Sequence, residues 1–148
     1  MGNWPVETAA AAVVGRDGRV LGSYGPADHR FRLASVTKLL TAYTVLIAVE
    51  EGALDLDEPA GPEGSTVRHL LAHASGLAFD EHRPMAAPGS RRLYSNAGFE
   101  VLGDLVAKAA EMPFEEYLRQ AVLDPLGMTA TSLPGSPGAG GISTVRDL

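Results

Sequence analysis

No cysteine occurs among the 148 residues, which excludes disulfides, thiolate metal sites and a cysteine nucleophile, and leaves the redox state of the compartment open. Basic residues are also scarce. Twelve Lys and Arg stand against 18 Asp and Glu, the formal net charge is −6, and no basic cluster exceeds the pair Arg91–Arg92. The chain thus lacks the footprint of a nucleic-acid or anionic-membrane partner. Internal repeats and low-complexity tracts are missing. The opening MGNWPVETAA has no basic residue before Arg16 and no long apolar run, so it does not read as a secretory signal. A processed secreted or periplasmic chain would look the same as a cytoplasmic one, and localisation stays unknown. Hydrophobic content of 45% with 20% charged residues is that of a soluble globular protein, one domain or part of one.

The longest apolar stretch, Leu33 to Val49, carries a single charge, Lys38. It is slightly short for a membrane span and holds Ser35, Lys38 and three threonines, so no membrane span is expected. Apolar side chains recur at Leu39, Tyr43, Leu46 and Val49, with Leu40, Val45 and Ile47 widening the stripe. That spacing predicts a helix apolar nearly all round, buried in a domain and stopped at Gly52. An ammonium on such a helix needs partners. Ser35 is the nearest, three residues back on the same face and at the expected helix N-terminus. A hydroxyl becomes a good nucleophile when a base takes its proton, and a lysine is that base when its surroundings lower its pKa. Helix N-terminal N–H groups can then stabilise an oxyanion. The plain alternative is a capping serine and a snorkelling lysine.

Elsewhere the chain punctuates itself clearly. Ala9–Val14 and Arg19–Tyr24 read as a β-hairpin around Asp17-Gly18. Thr66 is expected to cap a short helix, Val67 to Ala72. His69 and His73 have metal-ligand spacing, but the glutamate of H-E-x-x-H is absent, so they read as structural histidines and no metal site is assigned. Ser75 is outside a G-x-S-x-G elbow and is not read as a nucleophile. Ala97–Glu111 reads as an amphipathic helix capped by Ser95 or Asn96, and Phe114–Val122 as a third, ended by Asp124-Pro125-Leu126-Gly127. Pro134–Gly141 is a loop, and Thr144 with Asp147 looks like a capping box opening another helix. One turn later the sequence stops, from which the domain is expected to continue.

In this order along the chain, several stretches resemble the serine β-lactamase and penicillin-binding-protein superfamily. The branch is that of class C β-lactamases, related esterases and D-alanyl-D-alanine carboxypeptidases. Ser35-Val36-Thr37-Lys38 resembles its nucleophile motif, Leu70 to Leu77 a structural signature, and Tyr94-Ser95-Asn96 its Y-x-N motif. Pro125-Leu126-Gly127-Met128 with Thr131, and Gly140 to Thr144 with Asp147-Leu148, resemble further landmarks.

The resemblance implies an α+β, β-lactamase/transpeptidase-like fold. Residues 1–148 would form a partial domain: the helical subdomain and an N-terminal hairpin, without the C-terminal sheet strands. It implies a serine hydrolase acting on an ester or amide through an acyl-enzyme at Ser35, with no cofactor. Lys38 would accept the Ser35 proton, or hold Tyr94 as phenolate so that Tyr94 does. Tyr94 would pass the proton to the leaving group, and Asn96 would bind Lys38 and the substrate's acyl-side amide. β-Lactams, D-Ala-D-Ala peptides and small esters all remain open as substrates. The family's third motif, Lys or His followed by Thr/Ser-Gly, does not occur in the chain. Activity is therefore expected to depend on a C-terminal half. Two other readings are a non-catalytic or partner-dependent piece keeping the family fold, and an unrelated helical metal or interaction protein.

Overall fold

Two 14-residue helices form the frame of the computed structural model, which describes residues 5–148. Residues 1–4, part of the stretch read for a secretory signal and of the expected domain, lie outside the described residues. The elements in chain order are β1 (Ala11–Val14), β2 (Val20–Tyr24), β3 (Phe31–Arg32), α1 (Thr37–Glu50), α2 (Val67–Leu71), α3 (Ala97–Ala110), α4 (Phe114–Leu118), α5 (Asp124–Leu126) and β4 (Ile142–Ser143). The architecture is α+β, as expected, with helices making most of the core.

Amphipathic spacing brings α3 into the middle. Its Phe99, Leu102 and Val106 are buried against Val45 and Ala48 of α1, Val67 and Leu70 of α2, and Phe114 and Leu118 of α4. Each such side chain contributes roughly 1.5–3 kcal/mol by leaving water. Exposed ion pairs such as Arg119–Glu116, at 2.6 Å, are screened by water and contribute little. Apolar burial therefore decides the packing. Glu111 ends α3 in a left-handed turn, φ 53°, ahead of Met112-Pro113.

The third helix runs further than its spacing predicts. A π turn over Arg119–Leu123 joins α4 to α5, and Pro125 lies inside the helical path rather than ending it. A prolyl nitrogen cannot donate and crowds the preceding turn. The widened π turn sits just before it, and Gly127 then closes the helix at φ 68°.

Two small antiparallel ladders complete the fold. The β1–β2 hairpin pairs Ala11 with Tyr24 and Val13 with Gly22, with a bulge after Val13. All five residues of β2 are exposed. The second ladder, Phe31↔Ser143 and Arg32↔Ile142, joins distant parts of the chain. Two-residue strands carry no readable periodicity, so this ladder is absent from the sequence expectations. The expected capping box is half formed. The Asp147 N–H donates to Thr144 Oγ1 at 3.2 Å, but the Asp147 carboxylate turns to the Ala130 N–H and the Thr131 hydroxyl, and no helix forms at 144–148.

The buried face of α1 is not the predicted stripe. Leu39, Tyr43 and Leu46 are 71%, 49% and 47% exposed, while Thr37, Lys38, Leu40, Thr41, Thr44, Val45 and Ala48 are buried. Apolar residues surround the helix on every side, so periodicity alone could not choose a face. Polar pairing chose it. Thr41 Oγ1 donates to the Pro137 carbonyl at 2.7 Å, and Thr37 Oγ1 accepts from the Gly141 N–H at 2.9 Å. The 134–141 loop thus lies along the polar side of α1. It folds on itself so tightly that a Cβ on Gly140 would stand 2.4 Å from the Gly135 carbonyl carbon.

Replacing Gly140 with alanine should force that loop apart. A loss of about 1–3 kcal/mol is expected, read as a lower urea midpoint, together with faster amide exchange at Gly141, whose N–H bonds Thr37.

Candidate functional site

The site is built where β3 meets α1. Leu33 donates its N–H to the Gly141 carbonyl at 2.9 Å, which pins the end of β3. The next residue, Ala34, is in the left-handed region at φ 45°, a conformation that costs a non-glycine residue about 1–2 kcal/mol. A 3-10 turn, Ala34–Val36, then leads into α1. The bend leaves Ser35 exposed, one turn ahead of the buried Lys38.

Lys38 is 5% exposed, and no carboxylate is within ion-pair distance of it among the described residues. Its Nζ donates to Asn96 Oδ1 at 2.5 Å, to the Gly138 carbonyl at 2.7 Å and to Ser35 Oγ at 3.4 Å. It also lies 4.7 Å from the Tyr94 ring centre and 5.6 Å from that of Phe99, so two aromatic faces add to its stabilisation. Two of its three partners are carbonyl oxygens, which can only accept. They fix two N–H directions, and the third position of the nitrogen, proton or lone pair, faces Ser35.

Either Ser95 or Asn96 was a reasonable cap for α3, and the hydrogen bonds separate them. Ser95 Oγ accepts from the Gly98 N–H at 3.0 Å and donates to the Ala78 carbonyl at 2.6 Å. The Asn96 side chain makes no cap hydrogen bond. It is free to place Oδ1 on Lys38 and Nδ2 on Asp80 Oδ1, 2.7 Å away. A pure donor on one side and a pure acceptor on the other fix the orientation of the amide.

Tyr94 is half-exposed, stacked between His73 at 4.3 Å and Phe79 at 6.1 Å. The neighbouring Ser35 hydroxyl, chiefly, and the Lys38 ammonium hold its phenol below the ordinary tyrosine value, against an opposing effect of burial. Beside it opens a cleft of about 230 Å³ lined by Leu77, Ala78, Phe79, Met85, Arg91, Leu93 and Tyr94.

All four residues singled out in the sequence, Ser35, Lys38, Tyr94 and Asn96, meet at this place. Two contributors were not legible there: the Gly138 carbonyl and Asp80. The glycine-rich composition of 134–141 was the available signal for the first, since close backbone approach needs glycine. Asp80, on an irregular loop, left none.

The two histidines of metal-ligand spacing point to different partners. His69 Nδ1 lies 3.1 Å from the Thr66 hydroxyl, and His73 Nδ1 accepts from the Ser95 N–H at 3.1 Å. No group of three or more metal-ligating side chains gathers among the described residues, and no described helix is long and apolar enough to cross a membrane. His73 is buried, and that burial, with smaller contributions from Arg92 and Lys38, lowers its pKa to about 4. Ser75 is buried, its Oγ accepting from the Leu77 N–H at 3.4 Å.

Comparison with known proteins gives a consistent picture. A family model described as Beta-lactamase matches residues 6–148. The D-alanyl-D-alanine-carboxypeptidase/endopeptidase AmpH of Escherichia coli is 28% identical, over 86% of this chain and 46% of that protein. Esterase EstB of Burkholderia gladioli is 33% identical, over 80% of this chain and 45% of that protein. The crystal structure of a beta-lactamase from Mycobacterium bovis superposes with a TM-score of 0.94 at 54% identity, over 97% of this chain and 54% of that one. The chain spans about half the length of these relatives.

The neutral His73 imidazole links stability to pH. Its pKa is about 4 in the folded chain and about 6.5 unfolded, so the unfolded state binds more protons between those values. Its stabilising effect is complete above about pH 6.5 and is lost as pH falls towards 4, by roughly 2–3 kcal/mol. His73 has φ 57°, which asparagine tolerates. Urea midpoints measured from pH 7 to 4 should therefore fall more steeply for the wild type than for His73→Asn.

Proposed function

Because the chain belongs to the Beta-lactamase family, we propose that it carries the nucleophile of a serine hydrolase that cleaves esters or amides through an acyl-enzyme at Ser35. The observation that carries this reading is the buried Lys38 aimed by two carbonyl oxygens at the Ser35 hydroxyl. A structural lysine would snorkel to water. This one is held inward by the Asn96 and Gly138 oxygens, beside the hydroxyl it would assist.

In the proposed reaction, Ser35 Oγ attacks the substrate carbonyl carbon while its proton passes to the Lys38 and Tyr94 pair. The tetrahedral oxyanion collapses, the bond to the leaving group breaks, and Tyr94 returns the proton to that group. Water then adds to the Ser35 ester, its proton taken by the same pair; the Oγ–acyl bond breaks, the pair returns that proton to Ser35 Oγ, and the acid product leaves. The Ser35 hydroxyl and the Lys38 ammonium hold the Tyr94 phenol below the ordinary tyrosine value, which eases its part in proton transfer. Asn96 holds Lys38 in register with Ser35.

β-Lactams, D-Ala-D-Ala peptides and small esters fit this chemistry equally. The relatives' names, a carboxypeptidase/endopeptidase, an esterase and a beta-lactamase, span all three. We propose further that a C-terminal half, in the same polypeptide or in trans, supplies the opposite wall of the cleft and a second oxyanion donor. Exposed Leu39, Tyr43 and Leu46 on α1, together with Val13, Val20 and Leu21 on the hairpin, suit surfaces that such a half would cover. A non-catalytic piece keeping the family fold is the competing reading, and it requires no adduct at Ser35.

Two expectations test this. In the full-length product of the reading frame, incubation with a nitrophenyl ester or nitrocefin should add an acyl mass to the peptide containing Ser35, and Ser35→Ala should abolish both adduct and turnover while the melting curve is retained. Ordinary turnover in Ser35→Ala would end the assignment. The isolated 148 residues should bind a hydrophobic dye and lose it when the C-terminal half is added, with hydrolysis rising in the same titration. Cooperative melting and undiminished turnover by the 148 residues alone would refute the need for a second half.

A further inference from the structure

Asn96, Glu100 and Gly103 share one stripe of α3, four and then three residues apart, and each meets the 134–141 loop. At Asn96 the approach is close enough that a Cβ on Gly138 would stand 3.2 Å from the Asn96 Cα. At Gly103 the missing side chain makes room for Pro137, whose Cγ would lie 2.6 Å from an added Cβ. Between them, Glu100 Oε1 accepts from the Ser136 hydroxyl at 2.9 Å. Ser136 then holds Gly138 from two sides. Its Oγ accepts from the Gly138 N–H at 3.1 Å, and its carbonyl accepts from the Ala139 N–H at 3.1 Å. The Ala139 N–H and the Gly138 carbonyl belong to one planar trans peptide, so fixing the first aims the second. That carbonyl is the one that accepts from Lys38 Nζ at 2.7 Å.

We propose that Glu100 is a positioning residue for acylation, holding the Gly138 carbonyl on Lys38 through Ser136. The inference rests on the acyl-serine reading above. A serine hydroxyl has one proton to give. Given to Glu100, it leaves the Ser136 oxygen turned to accept from Gly138, and a carboxylate at the end of the chain strengthens each bond along it. Glu100 therefore acts on Lys38 without touching it, and the third position of Nζ stays with Ser35. Two plainer roles for the same side chain exist. A carboxylate in the first turn of α3 is favoured by the helix dipole, and Glu100 Oε2 lies 3.6 Å from His82 Nε2. Both of these need the charge, and neither needs Ser136.

The test is single-turnover acylation of Ser35 by a nitrophenyl ester in the full-length product of the reading frame. Rates are taken per acylatable molecule, counted by mass spectrometry, so that a general loss of fold lowers the count and not the rate. Glu100→Ala and Ser136→Ala should each lower the maximal rate about tenfold, with the half-saturating ester concentration unmoved. Because both act through one chain, the double variant should be no slower than Ser136→Ala. Glu100→Gln keeps an acceptor oxygen for Ser136 and drops the charge, and it should recover most of the rate. A Gln variant as slow as the Ala variant, with Ser136→Ala at the wild-type rate, would assign Glu100 to the dipole and His82 and overturn the relay. Unchanged rates in both alanine variants, with the wild type acylated, overturn it too and spare the hydrolase reading. No adduct at Ser35 in the wild type overturns both.

Discussion

A buried ammonium with no carboxylate beside it among the described residues governs the architecture of this chain. Desolvating a charge costs several kcal/mol, and Lys38 meets that demand with the Asn96 side-chain oxygen, the Gly138 carbonyl, the Ser35 hydroxyl and two aromatic faces. Each partner comes from a different part of the sequence. Asn96 stands at the head of α3, Gly138 on the late glycine-rich loop, Ser35 on the strained turn before α1. The requirement to bring neutral oxygens to one nitrogen explains why the polar side of α1 turns inward and leaves leucines outside. Neutral acceptors, in place of a carboxylate, hold the group where it is.

The division of labour between Ser95 and Asn96 is the second determinant. Both residue types cap helices, and sequence preference cannot choose between them. Because Ser95 takes the cap and ties itself to Ala78, the Asn96 amide is released toward Lys38 and Asp80. His73 supports the same corner from below. Its unprotonated Nδ1 accepts the Ser95 N–H, and its ring backs Tyr94 and Phe99. The capping of a helix and the placing of the Lys38 partners are here the same set of bonds.

Legibility in the sequence followed the range of the interactions. The hairpin, the Thr66 cap, the extent of α3 and the meeting of Ser35 with Lys38 depend on neighbours within a few residues, and each could be read from spacing and turn chemistry. The resemblance to a known family extended that to Tyr94 and Asn96. What escaped was set by distant partners. The inward face of α1 was misread because its apolar residues surround the helix, and the deciding bonds from Thr41 and Thr37 reach across to Pro137 and Gly141. The β3–β4 ladder was invisible because two residues carry no period. Pro125 was read as a helix end because nothing local announces a π turn.

The same long reach has a consequence for biosynthesis. The Lys38 Nζ to Gly138 carbonyl bond spans 100 residues, and the Thr37 and Thr41 bonds span 104 and 96. Translation proceeds at about 5–20 residues per second. Once α1 has left the ribosome, its inner face therefore waits on the order of 5–20 seconds before the loop that satisfies it has been made. Throughout that interval a nascent helix presents a bare ammonium on one side and Leu39, Tyr43 and Leu46 on the other. Such a surface is a natural client for chaperones, and the delay is inherent in the order of the genetic message, because the residues that satisfy the inner face of α1 are encoded about a hundred residues after it.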